Sequence, residues 1–174
     1  MDASEGNGMS EGPAGGTVVI AYDGSNAARH AIVSSAKVIG SCRVLVVTVW
    51  EEGLAYAGPM SPTEGLVASP MIEPSVALEV DRSVHARAER VSQEGAALAR
   101  TVGLDAQPLA VADEGSIAGT LLNLTRQEHA VAVVVGSRGL GGIRARLEGS
   151  TSTRLLKHSA CPVIVVHEPE EPPS

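Results

Sequence analysis

Phenylalanine is absent from this 174-residue chain, and one tryptophan with two tyrosines gives an aromatic share of 2%. A groove for nucleic acid needs stacking platforms and a basic surface. Thirteen Lys and Arg against 20 Asp and Glu leave a formal net charge of -7, so neither is supplied. Cysteine is scarce as well. Cys42 and Cys161 form no CxxC and no metal spacing, and both read as small packed residues. The five histidines lack an HExxH pattern, and no GxSxG nucleophile turn occurs. No apolar run approaches membrane-spanning length. Residues Met1 to Gly16 are polar, Gly-rich and acidic, without the basic and apolar regions of a secretory signal, so a cytoplasmic protein is expected.

What is present suits one packed domain: 44% hydrophobic and 19% charged residues. Apolar runs without polar alternation recur at Val18 to Ala21, Val44 to Val47, Val131 to Val135 and Val163 to Val166, with a weaker one at Leu109 to Ala112. Such strands are expected to be buried on both faces. Helical segments lie between them: Asn26 to Ile39, Val76 to Val102, Ser116 to His129 and Ser150 to Ser159. In the second, Val80, Val84, Ala88, Val91, Gly95, Leu98 and Val102 form one stripe. Ser25 or Asn26 can cap the first helix, and Gly40 and Gly103 stand where helix C-caps belong.

The resulting βαβαβαβαβ order predicts an α/β fold: a single-domain, five-stranded parallel sheet of order 3-2-1-4-5, Rossmann-like, with helices on both faces. The domain spans residues 17–167. Tails at 1–16 and 168–174 are expected to be disordered. The Pro- and Gly-rich connection 51–75 leaves the ligand-binding end of the sheet, either as a lid or as a mobile insertion.

The sharpest motif follows the fourth strand. Gly136-Ser137-Arg138-Gly139 is separated by nine residues from Gly149-Ser150-Thr151-Ser152, which open the last helix. Glycine lets main chain approach an anion, and amides at a helix start supply donors and partial positive charge. This is a candidate nucleoside triphosphate loop, distinct from GxxxxGK[ST] and from a first-turn GxGxxG, both absent. Arg138, Arg144 and Arg146 add local positive charge or form a solvated surface. Asp23 ends the first strand, beside the point where strand order reverses. Its carboxylate can accept ribose hydroxyls there while Ser150 and Ser152 hold phosphate, or it can close an Asx-turn over Asp23-Gly24-Ser25. Trp50 either borders the base or packs under the following loop.

These residues resemble the universal stress proteins, specifically the branch that binds ATP through Gly-x-x-Gly, nine residues, Gly-(Ser/Thr). The similarity extends from about Thr17 to His167. It includes the opening Val19-Ile20-Ala21-Tyr22-Asp23-Gly24-Ser25 and the close Ser159-Ala160-Cys161-Pro162-Val163-Ile164-Val165-Val166. The resemblance implies the adenine nucleotide alpha hydrolase-like fold. It also implies that Ala21, Tyr22 and Asp23 border adenine and ribose, and that Val49, Val135 and Gly136 line the adenine pocket. Arg138 and Gly139 would approach the phosphates, which Gly149, Ser150, Thr151 and Ser152 would bind, with Mg²⁺ accompanying ATP. Ser137 lies within the motif. Tyr22, the long connection and Glu148 depart from the usual pattern. The resemblance further implies a homodimer through the last strand, Val163 to Val166, whose apolar edge needs a cover.

The function expected is therefore an ATP-binding sensor or regulator in stress response, with partners unidentified and no role for nucleic acid or membrane. No general base or arginine finger for fast hydrolysis is evident. Two alternatives stand beside it. One is a nucleotide hydrolase or phosphotransferase in which Asp23 or Glu148 positions water and Arg138 stabilises charge. The other is a ligand-free dimeric interaction module.

Overall fold

The structure is a computed structural model and describes residues 15–52, 74–137 and 150–167. The expected tails and most of the 51–75 connection lie outside the described residues. The elements alternate as β1 (Gly15–Ala21), α1 (Asn26–Ser35), β2 (Cys42–Trp50), α2 (Pro74–Thr101), β3 (Asp105–Ala112), α3 (Ile117–Gln127), β4 (Ala132–Gly136), α4 (Ser150–His158) and β5 (Val163–Val166). They build one parallel sheet in the order β3-β2-β1-β4-β5, as the apolar runs predict.

Strand periodicity divides the core in two. Val18, Ile20 and Tyr22 of β1 pack with Val44 and Val46 of β2 against Ala28, Ala31 and Ile32 of α1 and Ala96 and Ala99 of α2. Val19, Ala21, Leu45, Val47, Val133 and Val135 point the other way, onto Leu121, Leu122 and Leu124 of α3 and Leu155 of α4. Cys42 packs on the first face and Cys161 on the second, and both are free thiols, so the sheet itself separates them.

Several expectations change. Burial on both faces holds for β1, most of β2 and β4, whereas all four residues of β5 are half-exposed because the strand is an edge. The first helix ends at Ser35 rather than Ile39, with Ala36 as its C-cap, and Gly40 is not in the left-handed region. Gly103 is, at φ 88, where the chain leaves α2. The buried face of α2 keeps Ala88 and Gly95 of the expected stripe but shifts to one side of it. Its buried residues are the small Ala88, Ser92, Gly95, Ala96 and Ala99, while Val80, Val84, Val91, Leu98 and Val102 flank them half-buried. Small side chains seat the helix closely on the sheet, and a Cβ at Gly95 would stand 2.6 Å from Cδ1 of Tyr22.

Candidate functional site

The site is built where the β1 and β2 ladder stops. Their pairing runs to Ala21 opposite Val47, and the Tyr22 N–H still donates to the Val47 carbonyl at 2.8 Å. The next rung is missing. The Tyr22 carbonyl instead accepts the hydroxyl of Thr48 at 2.9 Å. In a parallel sheet alternate residues direct both main-chain groups to the same neighbour. Val47 addresses β1, and Trp50 addresses β3, where its carbonyl accepts from the Asp113 N–H at 2.7 Å. Val49 therefore turns its N–H and C=O toward the opening beyond β1. Among the described residues neither group has a main-chain partner there.

Asp23 sits at the same opening. One oxygen, Oδ1, accepts the Ser25 N–H at 2.9 Å, which is the Asx-turn, and Gly24 takes the positive φ of 81 that this turn requires. Ser25 then caps α1, its hydroxyl accepting the Ala28 N–H at 3.1 Å. Among the described residues no group takes the second oxygen of Asp23, so turn and ligand roles are compatible. Tyr22 faces away from the opening, into the α1 and α2 side of the core, and is fully buried. Its main chain borders the opening while its ring does not. Burial pushes its phenol above the ordinary 10.0, with Arg29 opposing and Glu94 and Asp23 reinforcing that shift. Glu94 and Arg29 form an exposed ion pair between α1 and α2.

Ala21, Val49 and Val135 all belong to the opposite core face, beneath α3 and α4. Gly136 ends β4 with α1 hard against it: a Cβ there would lie 3.0 Å from the Ala27 carbonyl carbon. A side chain there would press on α1, so glycine suits the helix packing as well as any anion approach. The Ser137 N–H is committed to β5, donating to the Val166 carbonyl at 2.8 Å. Arg138, Gly139 and Gly149 lie outside the described residues, as do Arg144, Arg146 and Glu148.

A cleft of about 280 Å³ opens at this end of the sheet, lined by Glu51, Asp113, Gly115, Ser116, Ile117, Ala118, Ser150, Thr151 and Arg154. The starts of α3 and α4 meet there, bridged by the Arg154 guanidinium donating to the Ser116 hydroxyl at 3.3 Å. Ser116 also caps α3 by accepting the Gly119 N–H. Ser150 and Thr151 reach the cleft wall, whereas Ser152 is 2% exposed and is not among the lining residues. Nor is Asp23, which stands at the neighbouring opening.

Glu51, Asp113, Ser116 and Arg154 are the residues that sequence reasoning missed. The rule that ligands gather beyond the carboxyl ends of strands, applied to β2 and β3 as it was to β1, would have found the first three. Trp50 packs on His85 of α2, ring centroids 5.1 Å apart, so it serves the helix interface and not the opening. Among the described residues no helix is long and apolar enough to cross a membrane.

Fold and site together define a doubly wound α/β domain with an opening at its switch point, beside Asp23, and a neighbouring cleft where the starts of α3 and α4 meet. The universal stress protein family model matches residues 16–167, and the chain belongs to that family. A universal stress protein of Thermus aquaticus, from the QAH/OAS sulfhydrylase 3' region, is 28% identical over 152 residues, 86% of this chain and 97% of its own length. Mycobacterial members also match, but the aligned part is only 17% of one from Mycolicibacterium smegmatis and 30% of one from Mycobacterium bovis. The fold is shared with an Arabidopsis thaliana family protein with AMP bound, at TM-score 0.57 and 15% identity over 88% of this chain and 92% of that one. It is shared too with a universal stress protein in complex with cAMP, at TM-score 0.59 and 21% identity over 87% and 96% of the two chains.

Proposed function

We propose that this protein binds ATP, accompanied by Mg²⁺, and serves as a nucleotide-dependent regulator in stress response with slow or no hydrolysis. The observation that carries the reading is the main-chain edge of Val49, which has no main-chain partner among the described residues. One residue offering a donor and an acceptor side by side complements a base edge with an amino group beside a ring nitrogen, as adenine has. The apolar side chains of Ala21, Val49 and Val135 line up under that edge. The second oxygen of Asp23 suits ribose hydroxyls, and the start of α4 with Ser150 and Thr151 suits phosphate. AMP and cAMP in the related structures support the same ligand class.

In this reading Arg138, Gly139 and Gly149 approach the phosphates, and Ser137 and Gly136 hold the loop to the sheet. The protein acts in the cytoplasm as a homodimer joined along the Val163 to Val166 edge. Native mass spectrometry of freshly purified protein, followed by titration with labelled ATP and Mg²⁺, tests the reading. Co-purified adenine nucleotide or saturable binding is expected, and absence of saturation at millimolar nucleotide would overturn it.

A further inference from the structure

We infer that Thr48 is a positioning residue: its hydroxyl terminates the β1 and β2 ladder and thereby keeps the Val49 edge open for a ligand. The inference rests, for its ligand, on the nucleotide reading above, and for its geometry on the sheet alone.

Thr48 lies on the α2 side of β2, in line with the buried Val44 and Val46, and is itself 7% exposed. An apolar residue would fill that place as its neighbours do. The hydroxyl is accommodated because it donates to the Tyr22 carbonyl at 2.9 Å. A regular ladder would give the same carbonyl the Val49 N–H, one rung beyond the bond from the Tyr22 N–H to the Val47 carbonyl. A buried carbonyl requires a donor, and the side chain meets that need locally. Main chain therefore has no reason to continue zipping, and β1 turns away into Asp23-Gly24-Ser25.

The consequence is a trade between two donors for one acceptor. With the hydroxyl present, Val49 N–H is left for a ligand. With it removed, the Tyr22 carbonyl recruits Val49 N–H, the rung closes, and the crevice narrows at the residue that reads the base. Thr48 touches neither ligand nor reacting atom in this scheme and acts only through the Tyr22 carbonyl.

Three full-length proteins test this: the parent, Thr48→Val, which keeps shape and removes the hydroxyl, and Thr48→Ser, which restores it. Amide hydrogen exchange at Val49, read by nuclear magnetic resonance without nucleotide, is the primary measurement. Exchange is expected to slow by roughly tenfold in Thr48→Val, the effect of one added hydrogen bond, and to return to the parent rate in Thr48→Ser. Equal exchange in all three overturns the ladder stop. Labelled ATP with Mg²⁺ is then titrated into each. Affinity roughly tenfold weaker in Thr48→Val and recovered in Thr48→Ser supports the positioning role, and equal affinity overturns it. If the exchange pattern holds while the parent fails to bind ATP, the nucleotide reading falls and the ladder stop stands. Thermal stability separates a merely structural effect. A closed rung leaves Thr48→Val as stable as the parent, whereas destabilisation with unchanged Val49 exchange means an abandoned carbonyl and refutes the proposal.

Discussion

Tyr22 shows how much a single position decides. Its ring fills the core between β1, α1 and α2, its main chain ends the strand, and its hydroxyl is buried with no hydrogen-bond partner among the described residues. A buried hydroxyl without a partner costs about 1–3 kcal/mol. Tyr22→Phe keeps the ring and removes that cost, so unfolding in urea near neutral pH is expected to show a gain of about 1 kcal/mol. The same residue sets an alkaline limit. Its folded pKa lies above the ordinary 10.0, so the folded state holds the proton more tightly than the unfolded chain. That stabilisation is complete below 10.0 and is lost as pH rises through the folded value. The parent should therefore lose stability with rising pH above about 10, and Tyr22→Phe should flatten that part of the profile. A parallel decline in both proteins would assign the alkaline limit to other groups.

At the scale of elements, the seat of α2 depends on the absence of a side chain. A Cβ at Gly95 would meet Cδ1 and Cγ of Tyr22 at 2.6 and 2.8 Å and Cγ1 of Val46 at 2.8 Å, all on anchored core groups. Alanine gains about 1 kcal/mol of helix propensity over glycine, but overpacking of this kind costs about 1–3 kcal/mol. Gly95→Ala is expected to lower unfolding stability by about 1 kcal/mol and by no more than about 2, and a stabilised variant would show that the helix lifts freely from the sheet. The existence of α2 was legible from its valines, yet their stripe marks the flank of the buried face. Hydropathy points to large apolar residues, while close helix and sheet packing selects Ala88, Ser92, Gly95, Ala96 and Ala99. Helix ends followed local chemistry where a cap was present, as at Ser25 and Gly103, and failed at Gly40, which follows a turn that begins at Ala36.

Across the whole molecule, the parallel sheet was readable because apolar runs alternate with helical segments, and the order β3-β2-β1-β4-β5 is one of the common doubly wound patterns that right-handed crossovers allow. The opening at Val49 was not readable. It arises from a side chain to main chain bond between residues 26 apart in sequence, which no local pattern encodes. Likewise, Arg154 becomes a neighbour of Ser116, 38 residues before it, only when α3 and α4 converge.

The remaining global feature is the outer side of β5, which no described strand pairs, and main-chain alternation gives it a specific test. β4 reaches β5 through bonds from Val133 N–H to the Pro162 carbonyl and from Ser137 N–H to the Val166 carbonyl. Pro162, Ile164 and Val166 therefore address β4, while Val163 and Val165 turn their N–H groups outward. Proline at an outward position deletes one edge donor and spares the inner ladder. If two copies pair along this edge, Val165→Pro should shift sedimentation from dimer to monomer and leave the circular dichroism spectrum intact. A dimer that persists with an intact spectrum would locate the contact elsewhere. The side chains of Val163 and Val165 pack on the α3 and α4 face, so Val165→Ala provides the control for lost packing without a lost donor. Only the proline variant should dissociate if main-chain pairing, and not apolar contact, joins the subunits.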